Sequence, residues 1–277
     1  MKYTRNEFLK WVGLSGVAAF SANTTFAKTP TSSTPNFKLG LASYSLRNFK
    51  LEKVIKMTKR IGLESIALKS VHMPLESSVN KIKQMAAKVR AAGLDLYGAG
   101  VIYMKTPQEV EATFAYAANA GLEMIIGVPN HELLPLVNEQ VKKHNIKLAI
   151  HNHGPGDALY SSPVDVYEKI QGLDQRIGLC IDIGHVVRIG QDPVAMIERY
   201  KDRLYDMHMK DQDKVGGEGQ PIEVGRGVID IPKIIETLKK INYTGHVAFE
   251  YEKNEEDPLA GLAESVGYLK GVIKMEG

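Results

Sequence analysis

From about residue 37 onward the chain changes texture sixteen times, in a regular alternation of short apolar runs and longer segments with helical spacing. The runs are LGLAS (39–43), SIALK (65–69), LDLYGAG (94–100), EMIIGV (123–128), KLAIH (147–151), IGLCID (177–182), LYDMHMK (204–210) and HVAFEYE (246–252). Between and after them, helical spacing falls near 51–61, 78–92, 107–120, 131–144, 163–172, 193–201, 231–241 and 258–274. Most of these segments end in a breaker that leads into the next run, as in RIGLE, AAGLD, NAGLE and INYTG. Runs begin about every 25 to 30 residues, one strand-helix unit, until the seventh connection lengthens to about 42. Eight such units predict a single-domain (β/α)8 TIM barrel, since a doubly wound sheet rarely needs eight regular repeats. The length of 277 residues and a hydrophobic share of 44% suffice for one full core.

The first 37 residues have a different character. MKYTRNEFLK is basic, WVGLSGVAAFSANTTFA is weakly apolar and ends in small residues, and KTPTSSTPN is a polar, Pro/Ser/Thr-rich stretch. This layout predicts an export signal over 1–27, a linker over 28–37 and a barrel over 38–277. TRNEFLK is similar to a twin-arginine export motif, but Asn6 stands where the second arginine belongs, so either a twin-arginine-like or a general secretory route fits. Export to the periplasm is the expectation. The net charge of +3 is small and no basic block is long, which argues against nucleic acid as a partner. No later stretch is apolar for long enough to span a membrane. The one cysteine, Cys180, sits in an apolar run and reads as a buried, inert thiol. A homo-oligomer is compatible with all of this.

In a barrel of this kind function gathers at the carboxyl ends of the strands. Those ends carry Ser43 and Tyr44, Lys69 with His72, Tyr97 with Tyr103, Pro129 to His131, His151 with His153, Asp182 with His185, His208 with Asp211, and Glu250 with Glu252. Strands five to eight therefore all finish in metal-ligand residue types. A lone strand-end histidine is ordinarily a hydrogen-bonded loop residue. Four consecutive ends aimed into one mouth call for a cation or hydrogen bonds to compensate, because an unpaired buried carboxylate costs on the order of several kcal/mol, and a bound metal supplies that compensation. The predicted set is His151, Asp182, His208 and Glu250. Two imidazoles and two carboxylates suit Mn²⁺, Zn²⁺, Co²⁺ or Fe²⁺ better than Mg²⁺, with Mn²⁺ placed first.

The series LAIHNHG, CIDIGHVVRIGQDP, HMKD, the glycine pair of VGRGVID and the final VAFEYE resembles the xylose-isomerase-like barrel superfamily, over essentially everything after residue 37. That superfamily includes sugar and sugar phosphate isomerases and epimerases, inosose dehydratases and endonuclease-IV repair enzymes. Relatives with an HNHG fifth strand are mainly sugar phosphate isomerases/epimerases, some grouped with enzymes of 3-keto sugars. The resemblance implies one divalent metal ion held by strands five to eight, with Asp182, His208 and Glu250 on the usual ligand positions. Many members carry a glutamate where this chain has His151, and in the epimerases it faces the strand-eight glutamate as an acid/base pair.

These residues lead to an enzyme that removes a proton next to the carbonyl of a keto sugar, the metal stabilising the charge that develops on oxygen. Glu250, His185 and Lys69 are the expected catalytic groups. His72, His153, Lys210, Glu223, Arg226 and Tyr103 are expected to bind substrate, and Tyr44 and Tyr97 are further candidates for sugar stacking. The glycines of the long seventh connection allow close backbone approach there. With His151 in place of one carboxylate, an isomerase or epimerase outcome competes with a 3-keto-glycoside 1,2-lyase or hydratase outcome. A non-catalytic sugar-binding barrel and an endonuclease-IV-like repair enzyme are remoter readings, the second because it needs three metals. Export favours free sugars over sugar phosphates as substrates.

Overall fold

The structure, a computed structural model, describes residues 35–275; the signal expected over 1–27 and the linker up to residue 34 lie outside the described residues. Eight parallel strands close into one barrel: β1 (Lys38–Ala42), β2 (Ser65–Leu68), β3 (Asp95–Met104), β4 (Met124–Pro129), β5 (Lys147–His151), β6 (Ile177–Asp182), β7 (Leu204–Met209) and β10 (His246–Phe249). The chain closes on itself where β1 pairs with β10, Lys38 opposite His246 through Leu41 opposite Phe249. Within the seventh connection, β8 (Asp211–Gln212) and β9 (Pro221–Ile222) form a small antiparallel ladder.

The outer helices follow from the same sequence pattern. They are α1 (Leu51–Arg60), α2 (Val79–Ala91), α3 (Pro107–Ala120), α4 (Leu134–His144), α5 (Pro163–Ile170), α6 (Ile183–Arg188), α7 (Pro193–Tyr200), α8 (Ile231–Lys240) and α9 (Leu259–Met275). Capping boxes start α3 at Thr106 with Glu109 and α5 at Ser162 with Asp165. Helix α8 buries Ile231, Ile234, Ile235 and Leu238, one stripe at helical spacing, each worth about 1.5–3 kcal/mol of transfer free energy. Eight of these helices match the predicted segments; α6, inserted directly after β6, is an addition to the pattern.

Strand alternation decides what the barrel can hold. In β6, Ile177, Leu179 and Ile181 share one face, and Gly178, Cys180 and Asp182 share the other. The second set faces the barrel interior: Asp182 and Cys180 there meet His151, Asp206 and His208 from neighbouring strands. By the same period Asp206 and His208 of β7 point inward, as do His246 and Glu250 at the two ends of the last strand. Cys180 is buried, as expected, with its thiol 3.8 Å from Asp206 Oδ2.

β3 is longer than its sequence signal, running to Met104 with a register irregularity between Ala99 and Ile102. Tyr97 consequently sits near the start of the strand, not at its carboxyl end. It is buried, stacks on His246 at 3.6 Å between ring centroids, and has no place at the carboxyl-end mouth of the barrel.

Candidate metal centre and active site

The predicted quartet converges. One ligand atom from each of His151, Asp182, His208 and Glu250 lies within 4.8 Å of the other three, and all four residues are buried. His151 Nε2 is 3.0 Å from His208 Nδ1 and 3.5 Å from Asp182 Oδ2. His208 Nδ1 is in turn 3.2 Å from Glu250 Oε2 and 3.9 Å from Asp182 Oδ2. Asp182 divides its oxygens: Oδ1 accepts the backbone N–H of His185 at 2.9 Å and caps α6, while Oδ2 is buried in the cup without a well-directed hydrogen bond. A buried carboxylate oxygen that meets only cationic or imidazole nitrogens, Lys210 Nζ at 3.0 Å and the rings of His151 and His208, is part of a donor set that fits a divalent cation. Asn152 fixes the two strand ends that carry it, accepting from Asp182 N at 3.0 Å and donating to Asp182 O at 3.3 Å.

The electrostatics agree with that fit. Burial penalises the charge on Glu250 and Asp182, yet both carboxyls are held well below the usual carboxylate range, Glu250 chiefly by Lys210 and His208, Asp182 by His185 and Lys210. Burial drives the His151 imidazole well below the ordinary histidine value, against the pull of Asp182, which keeps it neutral and able to donate a lone pair. His208 is also penalised by burial, but the Glu250 carboxylate outweighs this and lifts it above the ordinary value.

Around the cup the structure sorts the remaining candidates. His185 stands at the start of α6 with Nε2 3.9 Å from Asp182 Oδ2; burial lowers its pKa to about 4 despite that carboxylate. Arg188, one turn on, points Nη1 at His185 Nδ1 (3.4 Å), a link that helical spacing in HVVR could have revealed. His153 Nε2 is 3.0 Å from the Tyr103 hydroxyl and its Nδ1 is 3.5 Å from Asp157 Oδ2, so a tyrosine, a histidine and an aspartate form one wall of the mouth. The ring of His153 also lies against that of His151, 4.5 Å between centroids. Lys69 donates to Val101 O at 2.6 Å, and burial lowers its pKa while Glu250 pulls the other way.

Three residues expected to bind substrate are committed elsewhere. His72 has both ring nitrogens occupied, Nδ1 by Ser43 Oγ at 2.8 Å and Nε2 by Leu46 O at 3.1 Å, and is buried. Arg226 turns outward and pairs with Glu264 of α9, Nη2 to Oε2 at 2.8 Å. Glu223 accepts from Tyr251 Oη at 2.8 Å and from Lys253 Nζ at 2.9 Å, which fastens the seventh connection to the segment after β10. Each is a tertiary pairing across a sequence separation that spacing does not encode. Lys210 does reach the centre, but its ammonium contacts carboxylates: Asp182 Oδ2 at 3.0 Å, Glu250 Oε2 at 2.8 Å and Glu252 Oε2 at 2.7 Å.

The HMKD aspartate and the glycines of VGRGVID form one unit. Asp211 Oδ2 accepts from Gly225 N and Gly227 N, both at 2.9 Å, and Oδ1 from Gln212 N at 2.9 Å and Ile229 N at 3.1 Å. A Cβ on residue 227 would lie 2.2 Å from Asp211 Oδ1, and Gly225 has φ +94°, so neither position takes a side chain without disruption.

Comparison with known proteins places this geometry. The rhizopine catabolism protein MocC of Rhizobium meliloti is 31% identical over 139 residues, 44% of this chain and 42% of that protein. The inosose dehydratase of Lacticaseibacillus casei is 24% identical over 159 residues, 51% of this chain and 53% of that enzyme. The chain thus spans about half the length of the curated relatives it matches. The solved structure of L-ribulose 3-epimerase superposes with a TM-score of 0.72 at 16% identity, over 87% of this chain and 95% of that one, a likeness of fold. The profile described as xylose isomerase-like TIM barrel matches residues 132–272, the half of the chain that supplies all four ligand-type residues, and by that match the chain belongs to the xylose isomerase-like TIM barrel family.

Proposed function

We propose that the chain is a divalent-metal-dependent enzyme that removes a proton next to the carbonyl of a keto sugar or cyclic keto polyol. The observation that carries this reading is the buried cup of His151, Asp182, His208 and Glu250 at the carboxyl ends of consecutive barrel strands. A divalent ion held there, Mn²⁺ foremost, supplies Lewis-acid stabilisation of negative charge developing on the substrate oxygen. The relatives support the substrate class: an inosose dehydratase acts on a cyclic ketone and an L-ribulose epimerase on a ketose.

The chain's own residues set the proton chemistry. Glu250, ionised and inside the mouth, takes the proton. His185, neutral through burial, is placed to donate or accept a hydrogen bond at a second substrate oxygen. Beside His185, Tyr103 and His153 supply hydroxyl and imidazole groups for substrate hydroxyls, and Lys69 an ammonium at the edge. Proton return to carbon gives isomerase or epimerase outcomes. Departure of a β-substituent instead gives a 1,2-lyase or dehydratase outcome, which His151 favours, because the fifth strand then offers a neutral ligand and not a second carboxylate base. Export through the segment 1–27, with a free sugar as substrate, completes the proposal.

Incubation of the Mn²⁺-loaded protein with inosose, 3-keto-glucosides and free ketoses in D₂O tests it. Deuterium uptake at the carbon next to the carbonyl is expected with at least one class, and the product distinguishes isomerisation from elimination. No exchange with any of them, from a protein shown to hold the metal, sinks enolisation.

A further inference from the structure

We infer that Lys210 is a built-in cation for the metal cup, and that Glu252 is the positioning residue that holds its ammonium back when a divalent ion enters. The inference rests on the metal-site reading above. The two inner partners of Lys210 Nζ, Asp182 Oδ2 at 3.0 Å and Glu250 Oε2 at 2.8 Å, are the same oxygen atoms that face His151 and His208. A divalent ion held by these residues would draw on the same lone pairs, so ion and ammonium would compete for one set of oxygens. Without either cation, two desolvated carboxylates would face each other at the bottom of a closed mouth, an arrangement that strongly opposes folding.

The third partner breaks the symmetry. Glu252 Oε2 lies 2.7 Å from Nζ, and its side chain is 28% exposed, against 0% for Asp182 and 8% for Glu250. It stands two residues beyond Glu250, toward the rim, and gives the ammonium an outward anchor. Three carboxylates against one ammonium leave two negative charges, which one divalent ion neutralises. The backbone is cleared for the lysine as well: a Cβ at Gly184 would sit 2.9 Å from Lys210 Cβ and 3.2 Å from Cδ, so the glycine of the DIGH motif makes room for the lysine stem.

The experiment uses the full chain stripped with a chelator. Mn²⁺ and Zn²⁺ affinity are measured by calorimetry, and the melting of the metal-free and metal-loaded forms is recorded for wild type, Lys210→Met, Glu252→Gln and the double variant. Lys210→Met is expected to bind metal about ten-fold tighter or more, and its metal-free form to melt earlier than wild type, with most of the loss recovered on metal addition. Glu252→Gln, altered at a partly exposed position, is expected to bind about ten-fold more weakly, and this weakening is expected to vanish in the double variant. Unchanged affinity and metal-free melting in Lys210→Met overturn the inference, as does a Glu252→Gln effect that persists when Lys210 is absent. If Lys210→Met folds only with metal, the built-in cation is supported and Glu252→Gln decides the positioning role. A wild type that binds no divalent ion defeats the metal-site reading itself, whereas normal wild-type binding with an unmoved Lys210→Met defeats only the role of the lysine.

Discussion

The two ends of the barrel bury acids beside histidines and solve the same electrostatic problem in opposite ways. At the carboxyl end Asp182 and Glu250 stay ionised because cationic and metal-ligand groups surround them. Toward the amino end Asp206 is equally buried, but its neighbours are the Tyr97 hydroxyl, 3.4 Å from both oxygens, and the Cys180 thiol. Burial pushes its pKa up to about 7, and nearby His246 is lowered by burial to about 4. One end keeps charge available for chemistry, and the other discharges it for packing. The contrast follows the division of labour in such barrels, where strand amino ends mainly serve stability.

The comparison can be broken in order of effect. Glu250→Gln removes the proposed proton acceptor at the charged end and is expected to slow substrate deuterium exchange by about 10²–10⁴-fold, read by NMR on metal-loaded protein. An exchange rate within a factor of a few of wild type would displace Glu250 as the base. A smaller but still large contrast lies in stability. Asp182→Asn keeps the cap on α6 but removes one of the three carboxylates on Lys210, which retains Glu250 and Glu252, and is expected to cost about 1.5–3 kcal/mol in metal-free denaturant unfolding, as for one charged hydrogen bond. Asp206→Asn, which replaces an acid already drawn toward its neutral form, is expected to cost less than about 1 kcal/mol at neutral pH. Equal losses at both sites would erase the distinction between the ends.

The pH dependence sharpens it further. His246 is neutral when folded and protonates more readily when unfolded, so its contribution is complete above about pH 6.5 and is lost as pH falls toward 4. Asp206 has the opposite sign: the folded chain retains a proton that the unfolded chain has released, so its contribution is complete below about pH 4 and is lost as pH rises toward 7. The two slopes oppose each other in wild type. Asp206→Asn is therefore expected to make stability climb more steeply between pH 4 and 7, in melts at constant ionic strength, and a curve parallel to wild type would count against the raised acid. The smallest effect belongs to Tyr103→Phe. Loss of one hydroxyl on the mouth wall is expected to raise KM about two- to ten-fold with little change in kcat, as for a single hydrogen bond to substrate.

The order of strands and the metal cup were both legible from sequence for one reason: each depends on local period. Strand period places Asp182, His208 and Glu250 inward, and barrel topology then brings them together whatever the connections do. The pairings of His72, Glu223 and Arg226 are not legible in the sequence because their partners Ser43, Tyr251, Lys253 and Glu264 come from other elements, and only packing selects them. Tyr97 was misplaced because β3 is extended through an irregularity that interrupts the apolar alternation. Lys210 was expected at the site, but its pairing with ligand-type carboxylates required the cup to be built first.

The carboxylate of Asp211 has a consequence for how such a barrel changes over time. By gripping amides on the return of the seventh connection, it closes that loop at its base, three residues from His208. Residues 213–220 beyond the clasp close on themselves at the neck, Asp213 N to Gln220 O at 3.0 Å and Gln220 N to Asp213 Oδ1 at 2.8 Å, and touch α6 through Gly216 N to Val187 O at 3.2 Å and Arg188 Nη2 to Gly217 O at 3.1 Å. The tip is thus a cassette docked on the helix that carries His185: its length and sequence can be redrawn against that helix while the clasp shields His208 from the change.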